Sequence, residues 1–510
     1  MPDTCTDTEN TLFLSEALKF LGVDGNFTAL QAESHTDKRE ATAATVTAII
    51  IICILAMMMI VGTAYDVIFL QWPKWRVQWQ QKEEEKNKMS LFTANGGDIA
   101  SMPQQTQGVD DDEPLIIKND IQQPTLAPRG KLVKALLAFS VYTNGSKVLN
   151  TSQPPGAISC IHGIRFLSMT WVILGHLFAF GIQDIDNLAS EVPILLSRWT
   201  FDAIANAFVS VDSFFTLSGL LVAYVTVTEM KKRNGWNLNW GLFYFHRFWR
   251  SCFSHSWYLS NDMQFFLVSP LMLIPFYFNT FLGLASCGIF FLTHIITTGV
   301  LSAQHKWGAT LISAAADGGL ASYFQDYYEA PWCRIGPYIV GIVTGYFLAT
   351  KRDKIKLTWL RATIGWVVAT AVALAVLYGL RGDIKGDHRS SVSTAALYNA
   401  LARSAWGACV CWVIVACVTG WGGFVNTLLS WSPFVVLGRL TYMAYLFHIS
   451  LIAIFFGNQD TLFHLNGFNI AVLFLGVVVA TYGISFVLML ALESPMIGLE
   501  KVFLPQRRKD

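Results

Sequence analysis

The sequence predicts an all-α fold, a polytopic transmembrane helical bundle with about ten spans. Three observations carry this expectation. Of the 510 residues, 53% are hydrophobic and only 14% are charged, against roughly 25% charged in an ordinary soluble domain. The apolar residues gather into runs, and about 20 mostly apolar residues are what a helix needs to cross the hydrocarbon core. These runs recur along the chain, and the Lys and Arg residues collect between them. The formal net charge of +1 is spread thinly over loops and gives no basis for nucleic-acid binding.

Residues 1–43 are mixed and polar, with a sequon at Asn26, and are expected as a short extracellular or lumenal remnant. Met1-Pro2-Asp3 has neither the basic start nor the following apolar stretch of a secretory signal. The first span is expected over 44–70. Lys38 and Arg39 precede it, whereas Lys74, Arg76, Lys82, Lys86 and Lys88 follow it. That excess, with Trp72 and Trp75 at the interface, orients the span with its N-terminus outside. Residues 71–160 read as a cytosolic linker that opens with a helical extension and becomes rich in Gly, Asp, Gln and Pro. Within it Asp110-Asp111-Asp112-Glu113 is a solvated run. The sequons at Asn144 and Asn150 would face the cytosol and stay unmodified.

The transmembrane domain is expected over 161–497, with a cytosolic tail at 498–510. Spans lie near 163–183, 204–228, 263–279, 281–301, 334–350, 358–380, 396–420, 433–456 and 470–493. Lys231-Lys232-Arg233, the Lys351–Lys356 cluster and Arg507-Arg508-Lys509 should all be cytosolic. These assignments conflict in one place. Counting back from Lys351, the span at 263 must run inward, yet the span at 204–228 already ends inside. One outward crossing is missing between about Arg250 and Met263.

Arg165 and His176 open the chemistry. Eleven residues separate them, so on a helix they lie about 20° from a whole number of turns and about 16 Å apart along the axis. Both face one side, the Arg nearer the cytosol. An ionisable residue within a span is costly and marks a functional site when it faces the protein interior. The alternative is that Arg165 snorkels to the headgroups and His176 bonds a neighbouring helix. Asp212, in the next span, comes out at a similar depth to His176, roughly 10–12 Å from the outer end. It could orient His176 and raise its basicity, or serve as a packing acceptor. His246-Arg247-Phe248-Trp249-Arg250 is a basic cluster at the cytosolic face. Its arginines suit the phosphates of a nucleotide-like donor, although the positive-inside rule alone also accounts for them. The nine cysteines carry no metal signature and no metal is expected. Cys409, Cys411 and Cys417 read as packing residues, and a Cys252–Cys333 disulfide is an open pairing.

An Arg, ten residues and a His in one span resemble the signature of the acyltransferase 3 superfamily. Val211-Asp212-Ser213-Phe214-Phe215, the 246–250 cluster and Glu493-Ser494-Pro495 fit it as well. Phe139-Ser140-Val141-Tyr142-Thr143-Asn144, Trp257-Tyr258-Leu259-Ser260-Asn261-Asp262 and Tyr442-Met443-Ala444-Tyr445-Leu446-Phe447-His448 are similar to the "nose resistant to fluoxetine" branch. The resemblance covers about residue 135 to the C-terminus. It implies acyl transfer from acyl-CoA, a donor co-substrate, to a hydroxyl of a lipid or glycan acceptor. It implies His176 as the base, Arg165 as a charge partner on the donor side, and Arg247 and Arg250 as donor-binding residues. His448 is a second candidate base. Arg439, nine residues before it, falls on the opposite helical face, so His448 reads as structural.

Two departures from the family stand out. The branch usually carries a large extracellular segment with cysteines ahead of its first span. It also has a further helix between the basic cluster and the Trp-Tyr-Leu motif, where this chain runs straight from Arg250 into Ser251. The missing crossing falls at that junction, as a skipped internal segment would place it. The rival reading from another class is a lipid or drug transporter without chemistry, and a third is an inactive isoform. The membrane is expected to be the plasma membrane or the endoplasmic reticulum.

Overall fold

The structure, a computed structural model, describes residues 42–94, 130–154, 156–181, 184–233, 235, 240–241, 243–245, 257–316, 318–352, 355–459 and 461–503. Among them secondary structure is helical, apart from one isolated bridge between Ile185 and Phe463. The chain divides into two compact units at Val61/Gly62. The described part of the first is the start of helix α1 (Ala43–Tyr65). It turns Ile49, Ile50, Ile51, Ile52 and Ile60 outward, as a lipid-facing span does.

In the second unit a π turn (Asp66–Gln71) leads into α2 (Trp72–Ala94). Two short helices follow, α3 (Lys131–Leu137) and α4 (Val141–Leu149). The bundle proper contains α5 (Cys160–Gly181), the short α6 (Leu188–Ser197) and α7 (Trp199–Ala205), then α8 (Val209–Lys232), α9 (Trp257–Phe278) and α10 (Thr280–Gln304). After α11 (Leu311–Ala316) and a turn-rich stretch come α12 (Ile335–Lys351), α13 (Trp359–Tyr378), α14 (Arg381–Lys385) and α15 (Val392–Val418). The chain closes with α16 (Gly423–Leu429), α17 (Ser432–Gly457), α18 (Gly467–Leu488) and α19 (Ser494–Phe503). Among the described residues eight helices are long and apolar enough to cross a membrane. The helices α9 and α12 fall outside that set. The first turns of α9 carry Ser260, Asn261, Asp262 and Gln264, and α12 has only 17 residues. The fold is the expected all-α polytopic bundle.

Polar caps start several of these helices. The side chains of Ser140, Asn279, Ser391 and Asn466 accept backbone N–H bonds at the starts of α4, α10, α15 and α18, satisfying donors that the first turn leaves without partners. The core helix is α8, buried along most of its length. It packs against α12 with almost no side chain between the two backbones. A Cβ on Gly219 would stand 2.1 Å from the Tyr338 carbonyl oxygen, one on Gly341 2.1 Å from that of Thr216, and one on Gly345 2.2 Å from that of Leu220. Gly341 and Gly345 are the small-residue spacing by which membrane helices approach closely.

These contacts fix direction. Thr216 meets Gly341 and Leu220 meets Gly345, so α8 and α12 run parallel. Phe265 touches Tyr338 and Phe276 stacks on Tyr346, so α9 runs the same way. Two parallel neighbours cannot be joined by a short hairpin. Between the two helices, Phe243 and Tyr244 lie against Phe266, half-way along α9. This is the location where the loop charges predict a missing crossing; most of the connection lies outside the described residues.

The 139–144 motif has a structural role. Asp66, at the start of the π turn, is buried and accepts hydrogen bonds from the Ser140 and Thr143 hydroxyls and from Gln71. The Thr63 hydroxyl accepts from the Val141 amide. Asn144 is buried and donates to the Ala138 carbonyl, so its sequon is closed to a glycan. Arg439 caps the far end of α4, donating through Nη1 to the carbonyls of Lys147, Val148 and Asn150.

Candidate functional site

His176 lies on α5 five residues before its end, and His448 lies on α17 nine residues before its end. The helices α5 and α17 pack together and bring the two rings into parallel stacking, 4.9 Å between centroids and 16° between planes. His176 Nδ1 and His448 Nε2 are 2.7 Å apart. On the other side of the His448 ring, Nδ1 lies 2.7 Å from the Tyr445 carbonyl oxygen and 3.1 Å from that of Ala444. Carbonyls only accept, so Nδ1 of His448 carries the hydrogen. For neutral rings Nε2 of His448 is then the acceptor, Nδ1 of His176 the donor, and Nε2 of His176 holds the free lone pair. His448 is buried, while His176 is half-buried beside the exposed ring of Phe180.

Asp212 does not serve His176. It sits in the first turn of α8, and its Oδ1 accepts from Nη1 of Arg334 at 2.8 Å. Both side chains are fully buried. The Arg334 Nε donates to the Tyr328 carbonyl, and its guanidinium lies 4.3 Å over the Tyr328 ring and 5.0 Å from the Trp257 ring. A second buried arginine, Arg403, lies 4.0 Å over the Tyr327 ring and donates to the carbonyls of Tyr327 and Cys333. Burial pushes the phenols of Tyr327 and Tyr328 up, so both remain neutral π faces for these cations. Sequence reasoning passed over Arg334 and Arg403. The signal for Arg334 was present, since a carboxylate inside a span calls for a cation at the same depth and Arg334 begins a span parallel to that of Asp212.

An aromatic chain connects the two centres. Tyr445 is 5.6 Å from His448 and 5.1 Å from Tyr258, and Trp257 adjoins Tyr258 and faces Arg334. The Trp257-Tyr258 motif therefore stands between the histidine pair and the Asp212–Arg334 pair. Arg165 is half-buried on α5, eleven residues before His176 and toward the opposite end of the helix. Arg247 and Arg250 lie outside the described residues, as does Cys252, the expected partner of Cys333. At the start of α5 a cavity of about 260 Å³ is lined by Ser159, Cys160, Arg352, Asn426 and Ser430 among others.

A family model described as an acyltransferase domain, acyltransferase 3, matches residues 230–490, just over half of the chain. The chain belongs to the acyltransferase 3 family. That match includes His448, Arg334 and Arg403, and the α5 and α8 residues precede it. The chain is also 27% identical to "Nose resistant to fluoxetine protein 6" of Caenorhabditis elegans, over an alignment of 594 residues covering all of this chain and 66% of the relative. It thus spans just under two thirds of that relative's length. The alignment is longer than the 510-residue chain, so the relative has residues where this acyltransferase-family chain has none. No solved structure matches.

Proposed function

We propose that this chain is a membrane-bound O-acyltransferase that moves an acyl group from acyl-CoA to a hydroxyl of a lipid or glycan acceptor, in the plasma membrane or the endoplasmic reticulum. The observation that carries the reading is the histidine pair, 2.7 Å apart, with the tautomer of each ring set by the Tyr445 carbonyl. A hydroxyl is a weak nucleophile, and a base with a fixed lone pair is what it needs.

In this reading Nε2 of His176 takes the acceptor proton as the hydroxyl oxygen attacks the thioester carbonyl. Collapse of the tetrahedral adduct breaks the C–S bond. The departing thiolate recovers the proton from His176, so the products are the ester and free CoA thiol. His448 positions His176 and accepts from it, delocalising the charge that the imidazolium carries in between. Arg165, about 16 Å along the helix from His176, acts on the donor side. Arg352, in the cavity at the start of α5, offers a cation for the donor phosphates, and Arg247 and Arg250 are assigned to the donor by the family resemblance. Asp212, expected as a catalytic partner, instead locks α8 to α12 through Arg334.

The test is transfer of label from radioactive acyl-CoA to membrane lipids and glycans by reconstituted protein. Turnover that His176→Ala abolishes supports the enzyme. Acyl-CoA-independent movement of lipid, unaffected by His176→Ala, would replace it with the transporter.

A further inference from the structure

The helices α5 and α17 run parallel. A Cβ on Gly438 would stand 3.0 Å from the His162 Cα, His176 meets His448, and the Phe456 ring covers Gly181, where a Cβ would stand 2.5 Å from its Cζ. Both helices are long and apolar enough to cross a membrane, so their C-terminal ends share one membrane face. Beyond those ends the two following loops are clipped together. Ile185 and Phe463 form a parallel bridge, the Asp186 amide donating to the Phe463 carbonyl and the Phe463 amide to that of Asp184. Asn187 completes the clip with both ends of its side-chain amide, donating to the Leu465 carbonyl and accepting from the Leu465 amide. An exposed contact of 3.0 Å joins Asp186 to His464. Leu465 is buried, and Phe456 touches Phe463. The seam between α5 and α17 is thus shut on the water side of the histidine pair.

His176 opens sideways instead. Val172, Ile173 and Leu177 around it on α5 are buried, whereas Ala179 and Phe180, within a turn, are exposed. The Phe180 ring stands 5.3 Å from the His176 ring and is 49% exposed. His176 lies five residues before the end of α5, roughly 7 Å along its axis. Phe178 touches Phe201 of α7, and Trp199 of the same short helix is exposed beside Tyr378, as aromatic residues at a membrane–water interface are. The headgroup layer is about 5–7 Å thick on each side of the hydrocarbon. His176 therefore stands at the boundary of the two, where the hydroxyl of a diacylglycerol or a sterol lies.

Given acyl transfer at His176, on which this rests, we propose that the acceptor is a hydroxyl-bearing membrane lipid and not a water-soluble glycan. The lipid enters sideways from the bilayer, its apolar body against Phe180 and its hydroxyl at Nε2 of His176. A glycan coming from water would have to pass the clip and the Phe456 ring, whereas a lipid hydroxyl already lies level with the imidazole. Phe180 is then the residue that sets acceptor specificity, by offering an apolar face beside the base.

The experiment uses the full chain in phosphatidylcholine vesicles with two photoactivatable probes, a diacylglycerol and a cholesterol that each carry a diazirine. Cross-linked peptides are located by mass spectrometry. Transfer from radioactive acyl-CoA is followed in the same vesicles, with unmodified diacylglycerol, cholesterol or soluble chitotetraose as acceptor. At least one probe is expected to label the 177–181 segment and to be displaced by its unmodified lipid. Phe180→Ala should capture about tenfold less of it, with Phe180→Leu close to the wild type. Transfer should go to that lipid and not to chitotetraose, with the KM for the lipid raised in Phe180→Ala more than kcat is lowered. Capture by neither probe at 177–181, equal capture by the wild type and Phe180→Ala, or transfer to chitotetraose in place of lipid would overturn the assignment. Displaceable capture beside Phe180 without transfer to any acceptor would support the lipid site and overturn the acyl-transfer reading alone.

Discussion

Asp212 and Arg334 form an ion pair of 2.8 Å with no access to solvent, between residues that belong to parallel helices. Breaking a buried pair leaves one charge uncompensated and costs about 3–5 kcal/mol, whereas replacing both partners by apolar groups of similar size costs much less. Asp212→Leu and Arg334→Met should therefore each lower the unfolding temperature of the purified protein sharply. The double variant should recover most of the loss, and additive losses would show that the two residues do not act as a pair.

The histidine pair predicts a division of kinetic effects. His176→Ala should remove the base and reduce kcat by about 10²–10⁴. His448→Ala leaves the His176 ring without an acceptor at Nδ1 and should reduce kcat while KM for acyl-CoA changes little. Equal changes in kcat and KM would instead identify His448 as a packing residue.

How much of this was legible in the sequence can be judged at these positions. The apolar runs determine the bundle, and the family motifs mark the segments that meet in it. Even the conflict near Arg250 was readable from loop charges, because α8 and α9 are parallel. Partner choice was not readable. His176 lies near the end of α5 and Asp212 near the start of α8, and expected depth alone made them a pair. In the bundle Asp212 faces α12 and His176 faces α17, and the facing of a helix is decided by how all its neighbours pack. His448 was set aside because Arg439 lies on the other face of α17. That observation was correct, and it reflects Arg439's work at the end of α4.

The α8–α12 contact admits no side chain. Gly341→Leu or Gly219→Leu must separate the two backbones, since even a Cβ meets a carbonyl oxygen at 2.1 Å. Each should destabilise by more than the roughly 1–3 kcal/mol typical of overpacking. Thermal unfolding in detergent checks this, and Gly288→Leu, where a Cβ meets nothing within 4 Å, is the control.

Around Asp66, Ser140→Ala and Thr143→Ala each remove one hydrogen bond to a buried carboxylate. Each should cost about 1.5–3 kcal/mol, read as faster proteolysis within 131–149. Asp66→Asn, which keeps an acceptor oxygen, should cost less than Asp66→Leu.

The shared direction of α9 and α12 predicts a topology. Cysteines introduced at Trp257 and at Lys351 should label from opposite sides of the membrane, Trp257 from outside. Labelling of both from one side would show that α9 and α12 do not share a direction in the bilayer.

Asp212 and Arg334 are 122 residues apart in the chain, and this separation matters during synthesis. At about 5–20 residues per second the ribosome needs roughly 6–24 s to reach the arginine after the aspartate has left it. Throughout that interval α8 carries a charge with no counter-ion, in a segment that the translocon must pass into lipid. The helix that ends at the centre of the bundle is thus the one least able to settle early. Its insertion must wait, shielded by the translocon or a chaperone, for a partner that the ribosome has not yet made.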